Sequence, residues 1–271
     1  MEKRLLPASI TRNLTTRFIG QRVIYFPSLA STMDIARQEA QKGAPEGTII
    51  VVEEQTAGRG RVKRAWISPK GCVAFSIILY PSIAHLPYLI MIASLAAVRS
   101  IKEITGLKPE IKWPNDILIK GKKVCGILIE NEIKGANVEY AVIGIGINVN
   151  LNVADFLEIM PIATSLSDEL GKEISRLDMI RHILIEIERL YMALQAGEPV
   201  RRTSSLAGES VYEEWRDCLA TLGKKVQASA GKIKYEGIAE SVDRDGSLLL
   251  RLDDGSLTRI VAGDVSLRNQ G

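Results

Sequence analysis

Glu53 to Arg64 reads EEQTAGRGRVKR, and no other stretch of the chain concentrates as much chemistry. Arg59, Arg61 and Arg64 surround two glycines, Gly58 and Gly60. Glycine lets a backbone take positive φ and come close to a ligand. Arginine brings a permanent charge and a planar fork of donors that matches phosphate or carboxylate. The stretch directly follows a short apolar run, Thr48 to Val52, with the look of a strand. A loop of this kind suits closure over an anionic ligand, although a solvated basic turn has the same composition.

Lys112-Trp113-Pro114-Asn115-Asp116 is a second constellation. Pro114 fixes φ and biases Trp113 away from helix, so a rigid turn presents Lys112, Asn115 and Asp116 together. Lysine with a nearby carboxylate suits a phosphate and its Mg²⁺; an Asx-bonded turn of the same residues needs no ligand. A third is Gly121 to Glu130, GKKVCGILIE, where Lys123 begins an otherwise apolar strand. A lysine pointing inward there requires an anion, whereas an edge lysine only discourages sheet aggregation. The fourth, Gly144 to Asn150, reads GIGINVN. Alternating glycines let a ligand or another backbone lie flat on a strand. This is not GxGxxG opening a helix, and no GxxxxGK(S/T) loop occurs, so any nucleotide site is of another kind.

These residues need elements to hold them. Gln21 to Phe26, Thr48 to Glu53, Cys72 to Leu79, Glu110 to Trp113, Asp116 to Lys120, Lys123 to Ile133 and Glu139 to Val149 read as strands. Lys120-Gly121-Lys122 marks a hairpin. Ile35 to Lys42 reads as a helix capped by Ser31 or Thr32. Tyr88 to Thr105 reads as a long apolar helix ended by Gly106. Asp178 to Leu194 places Ile180, Ile183, Leu184, Ile187 and Leu190 near one face, and Val211 to Cys218 extends the helical region. From Leu222 the texture changes to short strands (Lys225 to Ser229, Lys232 to Ala239, Ser247 to Leu252 and Leu257 to Val261). Gly231, Asp245-Gly246 and Asp254-Gly255 separate them, the texture of a small barrel. The domain boundary falls near Leu219 to Gly223.

Composition narrows the function. The 271 residues suffice for a catalytic domain plus a small one, and 25% charged with 46% apolar residues is an ordinary globular mix. A net charge of +3 argues against a dedicated nucleic-acid binder. Met1 to Gly20 is too short for a helix-turn-helix domain and is expected to hold one helix at most. Cys72, Cys125 and Cys218 are scattered and distant from His85 and His182, so neither a disulfide framework nor a structural zinc site is expected. Cys125 reads as a buried, inert thiol. With no signal peptide and no apolar span, a soluble cytoplasmic protein is expected.

Jointly, in order and spacing, these motifs resemble the biotin protein ligases, the biotin–[acetyl-CoA-carboxylase] ligases. The resemblance rests on Ser31-Thr32, Glu54 to Arg61, Trp66, Ser68-Pro69, Lys112 to Asp116, Lys123 to Glu130, Gly144 to Asn148 and Gly263 to Arg268. It implies an α/β (α+β) fold: a mixed β-sheet catalytic domain packed with helices (21–220), after an N-terminal extension (1–20). A small C-terminal SH3-like β-barrel (221–271) would follow.

The resemblance also implies the reaction and the roles. Biotin is activated with ATP and Mg²⁺ to biotinyl-5′-AMP, then passed to one lysine of a biotin carboxyl carrier protein. Ser31, Thr32, Gln55 and Arg61 would hold the biotin head group, with Gly58 and Gly126 lining the slot and Trp66 in its wall. Lys123 would meet the biotin carboxylate and then the acyl-phosphate linkage, with Lys112 offsetting charge beside it. Arg59 would lie over the adenylate in a lid that orders when ligand arrives. Asn115 and Asp116 would serve the ATP phosphates and Mg²⁺, and Asn148 the adenine side. Arg268 and Lys225 would reach the nucleotide from the barrel. A homodimer is implied too, because the family often dimerises through sheet edges.

Two departures stand out. Met33 follows Ser-Thr where the family often has Asn, which puts one polar contact to biotin in doubt. The regulatory members' N-terminal DNA-binding domain has no room here, so a monofunctional ligase without DNA binding is expected. Two other readings remain. A lipoate or octanoate ligase would share the broad fold. A non-catalytic adaptor binding RNA or a peptide would explain the basic loop, but not Lys123 or Lys112 to Asp116.

Overall fold

The computed structural model describes residues 4–196, 211–230, 233–261 and 263–267. Its centre is a seven-stranded mixed sheet. The strands are β1 (Val23–Phe26), β2 (Ile49–Val52), β3 (Val73–Leu79), β4 (Glu110–Lys112), β5 (Asp116–Ile119), β6 (Lys122–Lys134) and β7 (Asn137–Ile147). Their order is β1-β2-β3-β7-β6-β5-β4, parallel between β1 and β2 and antiparallel elsewhere. Near-continuous runs of β-branched residues mark strands buried on both faces. The β5–β6 hairpin turns through Lys120 (φ 49°) and Gly121 (φ 79°), the pair of positive φ angles that a two-residue hairpin requires.

Side chains alternate across a sheet, and here the two faces differ in kind. Val51, Phe75, Ile145 and Ile127 face the main core, with helix α3 (Tyr88–Thr105) packed against β5 to β7 and against α5 (Arg176–Ala196). Gly106, at φ 72°, ends α3 in the left-handed conformation. The opposite face carries Ile50, Ile78 and Val142 under α2 (Thr32–Gln41). Beside them runs a trough of small residues. The register aligns Ala74, Gly146 and Gly126 in one row and Ser76, Gly144 and Leu128 in the next.

The N-terminal residues are bound into this body more tightly than the sequence suggests. A single short helix, α1 (Pro7–Thr11), forms, and Leu5, Ile10 and Ile19 are fully buried. Glu188 on α5 accepts the backbone N–H groups of Arg17, Phe18 and Ile19 at 2.6, 2.9 and 2.9 Å. Glu53 accepts the N–H of Leu5 at 2.8 Å.

Helices α4 (Leu166–Leu170) and α6 (Val211–Asp217) complete the first unit. The second is a five-stranded antiparallel sheet: β8 (Lys225–Ala230), β9 (Ile233–Val242), β10 (Leu248–Leu252), β11 (Leu257–Ile260) and β12 (Asp264–Leu267), ordered β11-β10-β9-β8-β12. The first four correspond to strands read from the sequence; β12 does not, being too short to show alternation. Val226, Ala228, Leu248 and Leu250 join the same hydrophobic core as α3 and Trp215. Trp113 fastens the junction, donating its backbone N–H to Thr221 Oγ1 and its indole Nε1–H to the Gly246 carbonyl, at 2.9 and 2.8 Å. No helix among the described residues is long and apolar enough to cross a membrane.

Candidate active site

The small-residue trough is roofed by the Gly/Arg segment. Trp66 N–H donates to the Gly58 carbonyl and Gly60 N–H to the Arg64 carbonyl, both at 2.8 Å, so residues 58–66 form a narrow hairpin. The hairpin lays the Trp66 indole on Gly146, where any Cβ would collide with the ring, and within 3.1 Å of the Cβ position of Gly126. The alternating glycines therefore make space for an aromatic wall and the slot beneath it.

Lys123 closes one end of the slot. Its Nζ lies 2.6 Å from Asp116 Oδ1 and 5.2 Å from the centre of the Trp66 ring. The register Lys112↔Asp116↔Gly126 puts Lys112 and Asp116 on the trough face. Asn115, 8% exposed, donates its amide to the Ile127 carbonyl at 2.7 Å and accepts from Arg61 Nη1 at 3.3 Å. The structure thus gathers Lys112, Asn115, Asp116, Lys123, Gly126, Arg61 and Trp66 at one place. A cleft of about 270 Å³ continues from Arg61 and Asn115 to Trp215 and Gly246 of the second unit.

The other end is polar. Gln55 Oε1 accepts from Thr32 N at 2.9 Å and from Thr32 Oγ1 at 3.3 Å. Ser31 Oγ is buried with no hydrogen-bond partner among the described residues, which suits a donor or acceptor supplied by ligand. Met33 takes no polar role. It is 3% exposed in the α2 core, with Sδ 2.5 Å from the Cβ position of Gly144.

Other expected site residues already hold protein partners. Arg59 pairs with Asp34 on α2 at 2.9 Å and with Glu130 on β6 at 3.4 Å. These ion pairs tie the hairpin down at its side. Asn148, 3% exposed, gives its amide to the Thr164 carbonyl and so braces a loop. Lys225 lies on β8 beside Asp253 at 3.4 Å, with no contact to the cluster. Arg268 falls outside the described residues. Cys125 is fully buried, and burial pushes its thiol pKa well up, against the opposing pull of Lys123.

Sequence reading also missed a neighbour of Lys123. Lys123 N–H donates to the Ile162 carbonyl and Thr164 N–H to the Lys123 carbonyl, each at 2.9 Å. The segment so attached exposes Leu157, Met160 and Ile162 by 74%, 43% and 66%. The apolar surface thus sits on a loop attached to the Lys123 backbone. Its only signal was an apolar-rich loop directly after Asn148.

The site thus sets a lysine–carboxylate pair over a glycine trough in a seven-stranded mixed sheet, joined to a small antiparallel β unit. Residues 25–148 match the Biotin/lipoate A/B protein ligase family, and residues 221–268 match the Biotin protein ligase C terminal domain. The chain is 38% identical over 268 residues to the Bifunctional ligase/repressor BirA of Bacillus subtilis, covering 97% of this chain and 79% of that protein. It is 31% identical over 230 residues to the Biotin--[acetyl-CoA-carboxylase] ligase of Paracoccus denitrificans, covering 80% and 91%. The biotin protein ligase from Aquifex aeolicus, solved in complex with biotin and ATP, superposes with a TM-score of 0.74 at 28% identity, covering 92% and 99%. The chain belongs to the biotin protein ligase family.

Proposed function

We propose that this chain activates biotin with ATP to biotinyl-5′-AMP and transfers the biotinyl group to a lysine of a biotin carboxyl carrier domain. The observation that carries this reading is the Lys123 ammonium, held between Asp116 and Trp66 at the end of a narrow trough. The names of the relatives agree with it: a biotin–[acetyl-CoA-carboxylase] ligase, and a ligase that binds biotin and ATP.

In the first step a biotin carboxylate oxygen bonds to the α-phosphorus of ATP and pyrophosphate leaves. In the second, the carrier lysine amine bonds to the acyl carbon and AMP leaves. Both reactants of the first step are anions. Lys123, Lys112 and Arg61 offset their repulsion and the charge that develops in the transition state. Ser31, Thr32, Gln55 and Gly58 bind the head group, and Trp66 with Gly126 forms the walls. Asn115 serves the phosphates, and Asn148 positions the adenine side by bracing the loop at Thr164. Lys225 and Arg268 are assigned to the nucleotide on the match of residues 221–268 to the Biotin protein ligase C terminal domain alone. No protein nucleophile is called for. The Trp66 roof excludes water from a mixed anhydride that water would hydrolyse.

Asp116 and Asn115 offer a carboxylate and a carboxamide, hard oxygen donors that fit Mg²⁺ completed by ATP phosphates. The ion would neutralise phosphate charge there.

In this reading the enzyme is a ligase without a repressor's DNA-binding role, which binding to duplex DNA tests. It forms homodimers through β6. That strand pairs with β5 only as far as Gly126, which leaves the edge beyond it without a strand partner among the described residues. Free thiols at Cys72, Cys125 and Cys218 suit the cytoplasm, which cell fractionation tests directly.

Purified protein is expected to exchange labelled pyrophosphate into ATP when biotin is present. Exchange with lipoate alone would reassign the substrate, and exchange with neither would remove the enzyme reading. Sedimentation at rising concentration should show a monomer–dimer equilibrium that an Ile133→Glu change on β6 weakens; a strict monomer rules the dimer out. A mobility shift on duplex DNA at physiological salt would contradict the ligase-only assignment.

A further inference from the structure

Ser76 lies in the middle of β3 and is fully buried. Its Oγ is 2.8 Å from Thr32 Oγ1, and Thr32 in turn contacts Gln55. The direction of this chain follows from its far end. The backbone N–H of Thr32 can only donate, and it meets Gln55 at 2.9 Å, so the Gln55 atom there is the amide oxygen. That oxygen can only accept, so the Thr32 hydroxyl spends its single proton on it. Thr32 then has no proton left for Ser76, and Ser76 must be the donor.

With its oxygen occupied, Gln55 points Nε2 away from Thr32. The nitrogen lies 3.0 Å from the Cβ position of Gly58, on the slot side of the hairpin. Thr32 Oγ1, accepting once and donating once, keeps a lone pair. A donor at Gln55 and an acceptor at Thr32 stand together. A cyclic urea offers the complement, a carbonyl oxygen next to an N–H.

We infer that Ser76 is a positioning residue for head-group recognition, fixing the Thr32 rotor so that its proton goes to Gln55 and its remaining lone pair stays available to the slot. This rests on the biotin reading above. Without the Ser76 hydroxyl, Thr32 is free to rotate and turn its proton into the slot, while its backbone N–H still holds the Gln55 oxygen. The slot would then offer a donor at Thr32 where it now offers an acceptor. The register makes the position special: Ser76 faces Gly144 on one side and Ile50 on the other, so no other polar side chain of the strand rows can reach Thr32.

The test is Ser76→Ala, with Ser76→Thr as the variant that keeps the hydroxyl. Biotin and 2-iminobiotin, whose urea oxygen is replaced by a protonated imine, are titrated calorimetrically without ATP. Thermal unfolding reports on the fold, and pyrophosphate exchange at saturating biotin gives the KM for ATP. Ser76→Ala is expected to weaken biotin binding about tenfold, the worth of one buried hydrogen bond. It should leave the preference for biotin over 2-iminobiotin, which the Gln55 amide sets, and the KM for ATP within about twofold. Ser76→Thr should restore the biotin affinity. If Ser76→Ala lowers only the unfolding temperature, with biotin affinity at its wild-type value, the relay is refuted. A folded Ser76→Thr that binds like Ser76→Ala refutes it as well. A wild-type protein that binds no biotin overturns the parent reading instead.

Discussion

Replacing Lys123 by alanine is expected to lower biotin-dependent pyrophosphate exchange by about 10² to 10³-fold, the usual effect of removing one charged stabiliser from a transition state. The ammonium group lies 2.6 Å from Asp116 and over Trp66, where the proposed reaction would bring the carboxylate and the α-phosphate together. Its loss leaves Asp116 without its cation and adds a negative charge to a site that must gather anions. The Lys123 backbone bonds to Ile162 and Thr164 do not involve the side chain, so the fold should survive. Arginine should not rescue, because a planar fork cannot replace a compact ammonium between a carboxylate and a ring. Thermal unfolding near wild type together with collapsed exchange is the expected pair of results. Exchange at wild-type rate would reduce Lys123 to a residue that merely guards a strand.

Arg176→Met should cost about 3–5 kcal/mol of stability, since it strands a buried carboxylate. Arg176 Nη1 is 2.7 Å from Glu53 Oε2 and 3.3 Å from the Cys72 carbonyl, and the two side chains are 4% and 9% exposed. Glu53 directly follows β2, and its other oxygen holds the Leu5 N–H. One carboxylate therefore joins the start of α5, the N-terminal segment and the root of the Gly/Arg hairpin. Denaturant titration should show a lower midpoint at unchanged slope. Pairing Arg176→Met with Glu53→Leu should recover much of the loss, because it removes the stranded charge. A single-variant cost below about 1 kcal/mol would show that water reaches Glu53 and that the pair is ornamental.

Periodicity and turn chemistry carried most of the fold into view. Tyr88 to Thr105 was readable because an apolar helix ran uninterrupted to a glycine. Lys120-Gly121 was readable because only certain residues accept the dihedrals of a tight hairpin. The clustering of Lys123 with Asp116 and Trp66 was legible only as motifs held in common with a family, since residues distant in the chain meet through sheet register. Register also hid Ser76, which reads as one polar letter in an apolar strand until Thr32 is placed above it. Arg59 has partners that its residue type does not foretell: two carboxylates from α2 and β6 reach it in the folded chain, and neither is near it in sequence. Met33 looked like a lost polar contact and proves to be filling for Gly144. The apolar surface at Leu157 to Ile162 escaped notice because a loop has no period to detect.

Trp113 has a bearing on when, during synthesis, this chain becomes competent. The turn carrying Asn115 and Asp116 has its indole anchored by a carbonyl that lies 133 residues further along, and its backbone N–H by a hydroxyl 108 residues along. A ribosome reaches those anchors long after the sheet strands have emerged. The Trp113 turn is therefore clamped only after the second unit has left the exit tunnel, and under the proposed function that would delay adenylate chemistry until then.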